Sequence, residues 1–140
     1  MTSSNESTVR EFLGLFSAEN IDFDRIESLL NPNAEYRPHP EFSAINSSKA
    51  IRAELERQLT LYNECDFQII NLTTNPRQVM MERRDYQNQN GVRVEAQVAA
   101  IFEFDDQARI LKWREYWDLT AIAKQLNVSI EQMHAYMEGC

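Results

Sequence analysis

Val9, Phe12, Leu13 and Phe16 recur at i, i+3, i+4 and i+7, the spacing of one helix face. They predict an amphipathic helix of about four turns. Asp22 is placed to cap a second helix carrying Phe23, Ile26, Leu29 and Leu30, and Asn31-Pro32 is expected to end it. A short strand is expected from Ala34 to Arg37, broken by Pro38-His39-Pro40. Ser47 or Ser48 then caps a third helix with Ile51, Leu55, Leu59 and Tyr62 on one face.

The period changes in the second half. Phe67 to Leu72, Gln78 to Tyr86, Val92 to Phe104 and Arg109 to Trp117 read as strands. In the third, Val94, Ala96, Val98, Ala100, Phe102 and Phe104 alternate with Arg93, Glu95, Gln97 and Glu103, a period of two with one buried face. Asn90-Gly91 is a hairpin signal, since a type I′ turn needs positive φ at both positions. Asp105-Asp106-Gln107 makes the next turn. Ser129 and Gln132 form a capping box for a last helix through Met137. Helices segregated from an antiparallel meander define the α+β class, and a long curved sheet around helices makes a cone with an apolar interior. Such a cone offers one deep pocket.

Composition narrows the choice of partners. The 140 residues suit a single domain (1–140) that buries a sufficient core without a staple. Twenty-two acidic against 14 basic residues give a formal charge of −8, which argues against nucleic acid or an anionic membrane as partner. The longest apolar run, Val98 to Phe102, is far too short to span a bilayer. Met-Thr-Ser-Ser-Asn-Glu lacks the basic and apolar regions of a secretion signal, so a cytoplasmic protein is expected, with Cys65 and Cys140 as free thiols.

Strand parity points to the chemistry. Val79, Met81, Arg83 and Asp85 share one face, and Trp113, Glu115 and Trp117 share another. Their apolar members turn both faces inward, which places one arginine and two carboxylates inside a mainly apolar cavity. Buried charges of this kind are tolerated only when paired, and an arginine between two carboxylates satisfies that demand. Desolvation can then hold one carboxyl protonated while the arginine keeps the other ionised, the equipment of general acid–base catalysis. The plain alternatives stay open. Arg83 and Asp85 could be a structural ion pair, and a β-bulge could turn Glu115 to solvent. Trp113, Trp117, Met81, Val98 and Phe102 could line a ligand pocket or simply fill the core. Glu82 and Arg84 have outward parity, Asp118 is placed to cap a helix, and His134 falls on a helix surface. His39, beside two prolines, reads as a loop residue, and Cys65 has no histidine partner to activate it.

The segment Val79-Met-Met-Glu-Arg83-Arg-Asp85, with Lys112-Trp113-Arg114-Glu115-Tyr116-Trp117-Asp118-Leu119, resembles the limonene-1,2-epoxide hydrolase family of the nuclear-transport-factor-2-like (SnoaL-like) superfamily. The family carries Glu-Arg-x-Asp on one strand, Trp-Arg-Asp-Tyr-Phe-Asp-Leu on the last, and Tyr-x-Asn on an early strand. The resemblance runs roughly from Thr8 to Ala123 and is strongest from Val79 to Leu119. It implies Arg83 as the bridge, Asp85 as proton donor, Glu115 as the base and Tyr36 as a holder of the attacking water. It implies a cofactor-independent enzyme without a metal, a small apolar substrate and a homodimer.

Two positions depart from the pattern. Glu115 stands where the family has Asp, one methylene longer, and Pro38 stands where it has Asn, so one water contact is missing. Three functions follow from the resemblance: epoxide opening by activated water, a SnoaL-like isomerase or cyclase step if Glu115 removes a carbon-bound proton, or a non-catalytic module for ligand binding or dimerisation.

Overall fold

A computed structural model describes residues 3–138. Cys140 and the first two residues lie outside the described residues. The elements run α1 (Ser4–Leu15), α2 (Phe23–Ser28), β1 (Leu30–Arg37), β2 (Ile45–Asn46), α3 (Ser48–Leu61), β3 (Asn63–Asn75), β4 (Gln78–Gln89), β5 (Val92–Phe104), β6 (Ile110–Tyr116), α4 (Leu119–Leu126) and α5 (Ile130–Glu138). One six-stranded sheet has the order β2-β1-β6-β5-β4-β3.

The expected caps form. Asp22 accepts from the Arg25 N–H, Ser47 from that of Ala50, and Asp118 from those of Thr120 and Ala121. The Ser129–Gln132 box closes in both directions, at 2.8 and 3.1 Å. Asn90 and Gly91 take φ of 52° and 76°, as the hairpin turn requires. Asp105 organises the β5–β6 turn by accepting from the N–H groups of Gln107 and Arg109.

Three features depart from the sequence reading. Leu30 belongs to β1 rather than α2, and Asn31-Pro32 sits in a strand whose register shifts between Leu30 and Glu35. That irregularity absorbs the N–H that Pro32 lacks. The sheet is not wholly antiparallel, because β1 runs parallel to β6, with Tyr36 opposite Trp113. A parallel neighbour needs a long crossover, supplied here by everything between Arg37 and Ile110. A short strand, β2, also forms where no strand was expected.

The curved sheet holds two apolar clusters. α1 fills the first: the Phe12 ring meets Trp113 edge-on at 5.0 Å and Phe16 at 5.5 Å. α4 and α5 build the second with Val94 and Phe42. The cavity described below draws its walls from both. No helix among the described residues is long and apolar enough to cross a membrane.

Candidate active site

Alternation along β4 turns Val79, Met81, Arg83, Asp85 and Gln89 inward, with Met80 and Glu82 exposed. Arg83 is 2% exposed. Its Nε donates to Asp85 Oδ1 at 2.9 Å and its Nη2 to Oδ2 at 2.7 Å. The same Nη2 stands 2.7 Å from Glu115 Oε2, so two carboxylates meet at one nitrogen. Arg83 Nη1 has no hydrogen-bond acceptor, and the guanidinium lies over the Phe67 ring at 5.5 Å.

Glu115 faces inward. The β5–β6 irregularity falls at Glu103/Phe104, upstream of the site, and the register past it pairs Phe102 with Trp113 and Ala100 with Glu115. Trp113 Nε1 donates to the Glu115 Oε2 at 3.0 Å, which fixes the longer side chain against the indole edge. Both contacts of the carboxylate fall on Oε2, and Oε1 takes no hydrogen bond from the described residues. The parallel β1–β6 register then stacks Tyr36 on Trp113, with ring centroids 3.8 Å apart.

Burial pushes Asp85 above the ordinary carboxylate range. The Arg83 fork opposes the rise without cancelling it, and the nearby Glu115 charge adds to it. Burial alone would lower Arg83, but Glu115 and Asp85 outweigh it and hold the guanidinium charged. Burial and the Glu115 charge push the Tyr36 phenol well up, with the Gln58 side chain pulling it back, so Tyr36 keeps its proton. Cys65 is pushed up to about 11, by burial first and by Asp85 second, which leaves a protonated thiol rather than a nucleophile.

These groups line one cavity of about 120 Å³, of the order of an engineered space that takes up benzene. Arg83, Asp85, Glu115 and Tyr36 all reach it, as do Trp113, Trp117, Val98 and Pro38. Met81 and Phe102 do not; both pack in the first apolar cluster, where Phe102 stacks on Trp113 at 5.8 Å. His39 is buried outside the cavity. Its Nδ1 accepts from the Glu41 N–H at 3.1 Å and its Nε2 meets the Trp117 carbonyl at 3.0 Å. Trp117 returns the contact by donating to the Pro38 carbonyl at 2.8 Å, so the loop and the end of β6 brace each other. His134 is half-buried against Phe42 and Glu41. Among the described residues, no three His, Cys, Asp or Glu side chains gather as a metal-ligand set.

Sequence reasoning missed three glutamines on the cavity wall, Gln58, Gln87 and Gln89. The signals were present. Gln58 continues the α3 series Ile51, Leu55 at i+7, where Leu59 was chosen instead. Gln87 and Gln89 continue the inward parity of β4 past the expected end of the strand. Gln58 is buried, accepts from the Tyr62 hydroxyl at 3.0 Å and donates to Glu54 at 2.9 Å.

An open sheet curled around a cavity, with α1 at one end and two helices at the other, is the architecture of SnoaL-like, nuclear-transport-factor-2-like proteins. A SnoaL-like polyketide cyclase-type structure from Shewanella denitrificans superposes with a TM-score of 0.80 at 14% identity, covering 90% of this chain and 98% of that one. The family model for the limonene-1,2-epoxide hydrolase catalytic domain matches residues 3–128, and the chain belongs to that family. An LEH-like epoxide hydrolase from M. tuberculosis is similar over 99% of this chain and 98% of its own, at 26% identity and a TM-score of 0.77. The epoxide hydrolase/cyclase-like enzyme SalBIII, of pyran ring formation in the polyether salinomycin, matches 84% of this chain and 92% of its own, at 17% identity and a TM-score of 0.73. No curated protein matches by sequence. The relatives support an epoxide hydrolase or a cyclase or isomerase.

Proposed function

We propose that the protein opens an epoxide with activated water. The observation that carries the reading is Arg83 Nη2 shared between Asp85 and Glu115 at the wall of an otherwise mostly apolar cavity. Glu115 Oε1 takes a proton from water, and the water oxygen attacks an epoxide carbon. The carbon–oxygen bond breaks, Asp85 gives its proton to the leaving oxygen, and a diol results. Proton return from Glu115 to Asp85 resets the pair. With Pro38 offering no side-chain donor, the water rests on Glu115 and Tyr36, and Gln58 holds the Tyr36 hydroxyl in place.

Wild-type protein incubated with cyclic and aryl epoxides in ¹⁸O-water should yield labelled diol by mass spectrometry. If no epoxide gives diol, hydrolysis is excluded for that panel and the isomerase or cyclase step takes its place. That step is favoured by Pro38, which gives water one contact fewer than a family asparagine would.

Two further outcomes follow. Gln58→Leu should lower kcat roughly tenfold with little change in KM, the worth of the one hydrogen bond by which Gln58 positions Tyr36 at the attacking water. A change confined to KM would remove Gln58 from that role. The second concerns pH. Asp85 must carry a proton to act as the acid, and its raised pKa lets it keep that proton above the range of an ordinary aspartate. The rate should therefore fall on the alkaline side, as pH rises through the Asp85 value. Linkage has the same sign: the folded state holds this proton more tightly than the unfolded chain, so the stability Asp85 contributes is present at low pH and fades as pH rises. A rate that holds level or rises toward alkaline pH is incompatible with Asp85 as the acid.

The outer sheet face exposes Ile70, Met80 and Tyr116. A homodimer through this face is part of the proposal, and a monomer in sedimentation equilibrium removes it.

A further inference from the structure

The inward face of β4 changes character along its length. Val79 and Met81 are core, Arg83 and Asp85 form the charged centre, and Gln87 and Gln89 follow on the same wall of the same cavity. Across the sheet, Asp85, Gln87 and Gln89 pair with Ala96, Val94 and Val92, which offer no polar side-chain atom. The facing wall from α5 is built of Met133, Tyr136 and Met137.

In that setting the two amides are under-used. Their one mutual hydrogen bond, Gln87 Nε2 to Gln89 Oε1, is long at 3.4 Å. Each amide carries two donors and two acceptors. Gln87 Oε1 and Gln89 Nε2 make no hydrogen bond with any described residue, although Gln89 is buried. Neither atom is among the sealed, unpartnered ones, so each meets solvent and can exchange it for a ligand's donor or acceptor.

We propose that Gln87 and Gln89 form a polar subsite for a neutral group on the substrate that both donates and accepts hydrogen bonds, a hydroxyl or a carboxamide. The proposal rests on reading the cavity as the substrate pocket. Residues two apart on a strand have Cα atoms about 7 Å apart, and the two amides converge to 3.4 Å, so they form one polar spot next along the wall from Asp85. The substrate is therefore bifunctional, with its reacting carbons at Glu115 and Asp85 and a polar group farther along. This replaces the small apolar substrate expected from the resemblance. A carboxylate does not fit, because the one cation lining the cavity, Arg83, is already shared between Asp85 and Glu115.

The test needs no turnover. A 1,2-diol, the product form, occupies the acid–base centre without reacting. One diol carries a short chain ending in a carboxamide about 7 Å away, and its isostere ends in isopropyl. Binding is read by fluorescence of Trp113 and Trp117, which line the cavity. The wild type should bind the carboxamide diol about tenfold tighter. A carboxamide placed next to the diol should show no such preference. Gln87→Leu and Gln89→Met, with folding checked by circular dichroism, should each reduce the preference. Equal or tighter binding of the isopropyl diol by the wild type overturns the subsite. Because the wild-type comparison stands alone, a variant that fails to fold does not blunt it. An absence of ¹⁸O-labelled diol would remove epoxide hydrolysis while leaving this binding result to stand or fall separately.

Discussion

Arg83→Met should destabilise the protein by about 3–5 kcal/mol at neutral pH, the usual consequence of stripping a buried charge network of one partner. That is a large part of the 5–15 kcal/mol that holds a typical domain together. The cause is specific. Asp85 and Glu115 are about 10% exposed, and both rest on the one guanidinium. Without it, two carboxylates face each other in a low-dielectric cavity, and each can escape only by taking up a proton. The loss should therefore shrink as pH falls, because the variant's folded state binds protons that its unfolded state at the same pH does not. Urea unfolding of both proteins at pH 7 and pH 5 measures this. An Arg83→Met variant as stable as the wild type at pH 7, or one whose deficit ignores pH, would show that the cluster does not need its arginine. Turnover should be lost with the fold intact at the lower pH, because Asp85 and Glu115 no longer have a common partner to orient them.

Glu115→Gln should have the largest effect on catalysis with little effect on structure. An amide oxygen can still accept from Arg83 Nη2 and Trp113 Nε1, so the side chain keeps its place. It has no basic oxygen to take the proton of water. General acid–base catalysis contributes about 10²–10⁴-fold, and kcat should fall by that factor while KM stays within a few-fold. Glu115→Asp keeps the base but withdraws it by one methylene, a shift of the size that costs about 10²-fold in rate. The expected order is Glu above Asp above Gln, read from initial rates of diol formation. A Gln variant within tenfold of wild type would assign the base elsewhere.

Much of this was legible from residue order, because it depends on neighbours in the chain. The caps at Asp22, Ser47 and Asp118 are local hydrogen bonds, and so is the Ser129–Gln132 box. Alternation placed Arg83, Asp85, Trp113 and Glu115 on inward faces because a strand has a period of two whatever it packs against. Parity stops where a strand is judged to stop, however, and ending β4 at Tyr86 hid Gln87 and Gln89. Gln58 was hidden because an apolar residue is the usual occupant of a helix face turned to the interior, and in the fold that face meets the cavity.

Residue order alone carried the α+β class, the inward positions of Arg83, Asp85, Trp113 and Glu115, and the pairing of one arginine with carboxylates, since each follows from local periodicity and from the cost of unpaired buried charge. Only the tertiary structure decided which carboxylates share Arg83 and where Tyr36 stands. β5 brings β6 beside β4 and so carries Glu115 to Arg83, while the parallel β1–β6 register lays Tyr36 on Trp113. Both are contacts between residues far apart in the chain, and they are set by strand order and the long crossover rather than by any spacing along the sequence.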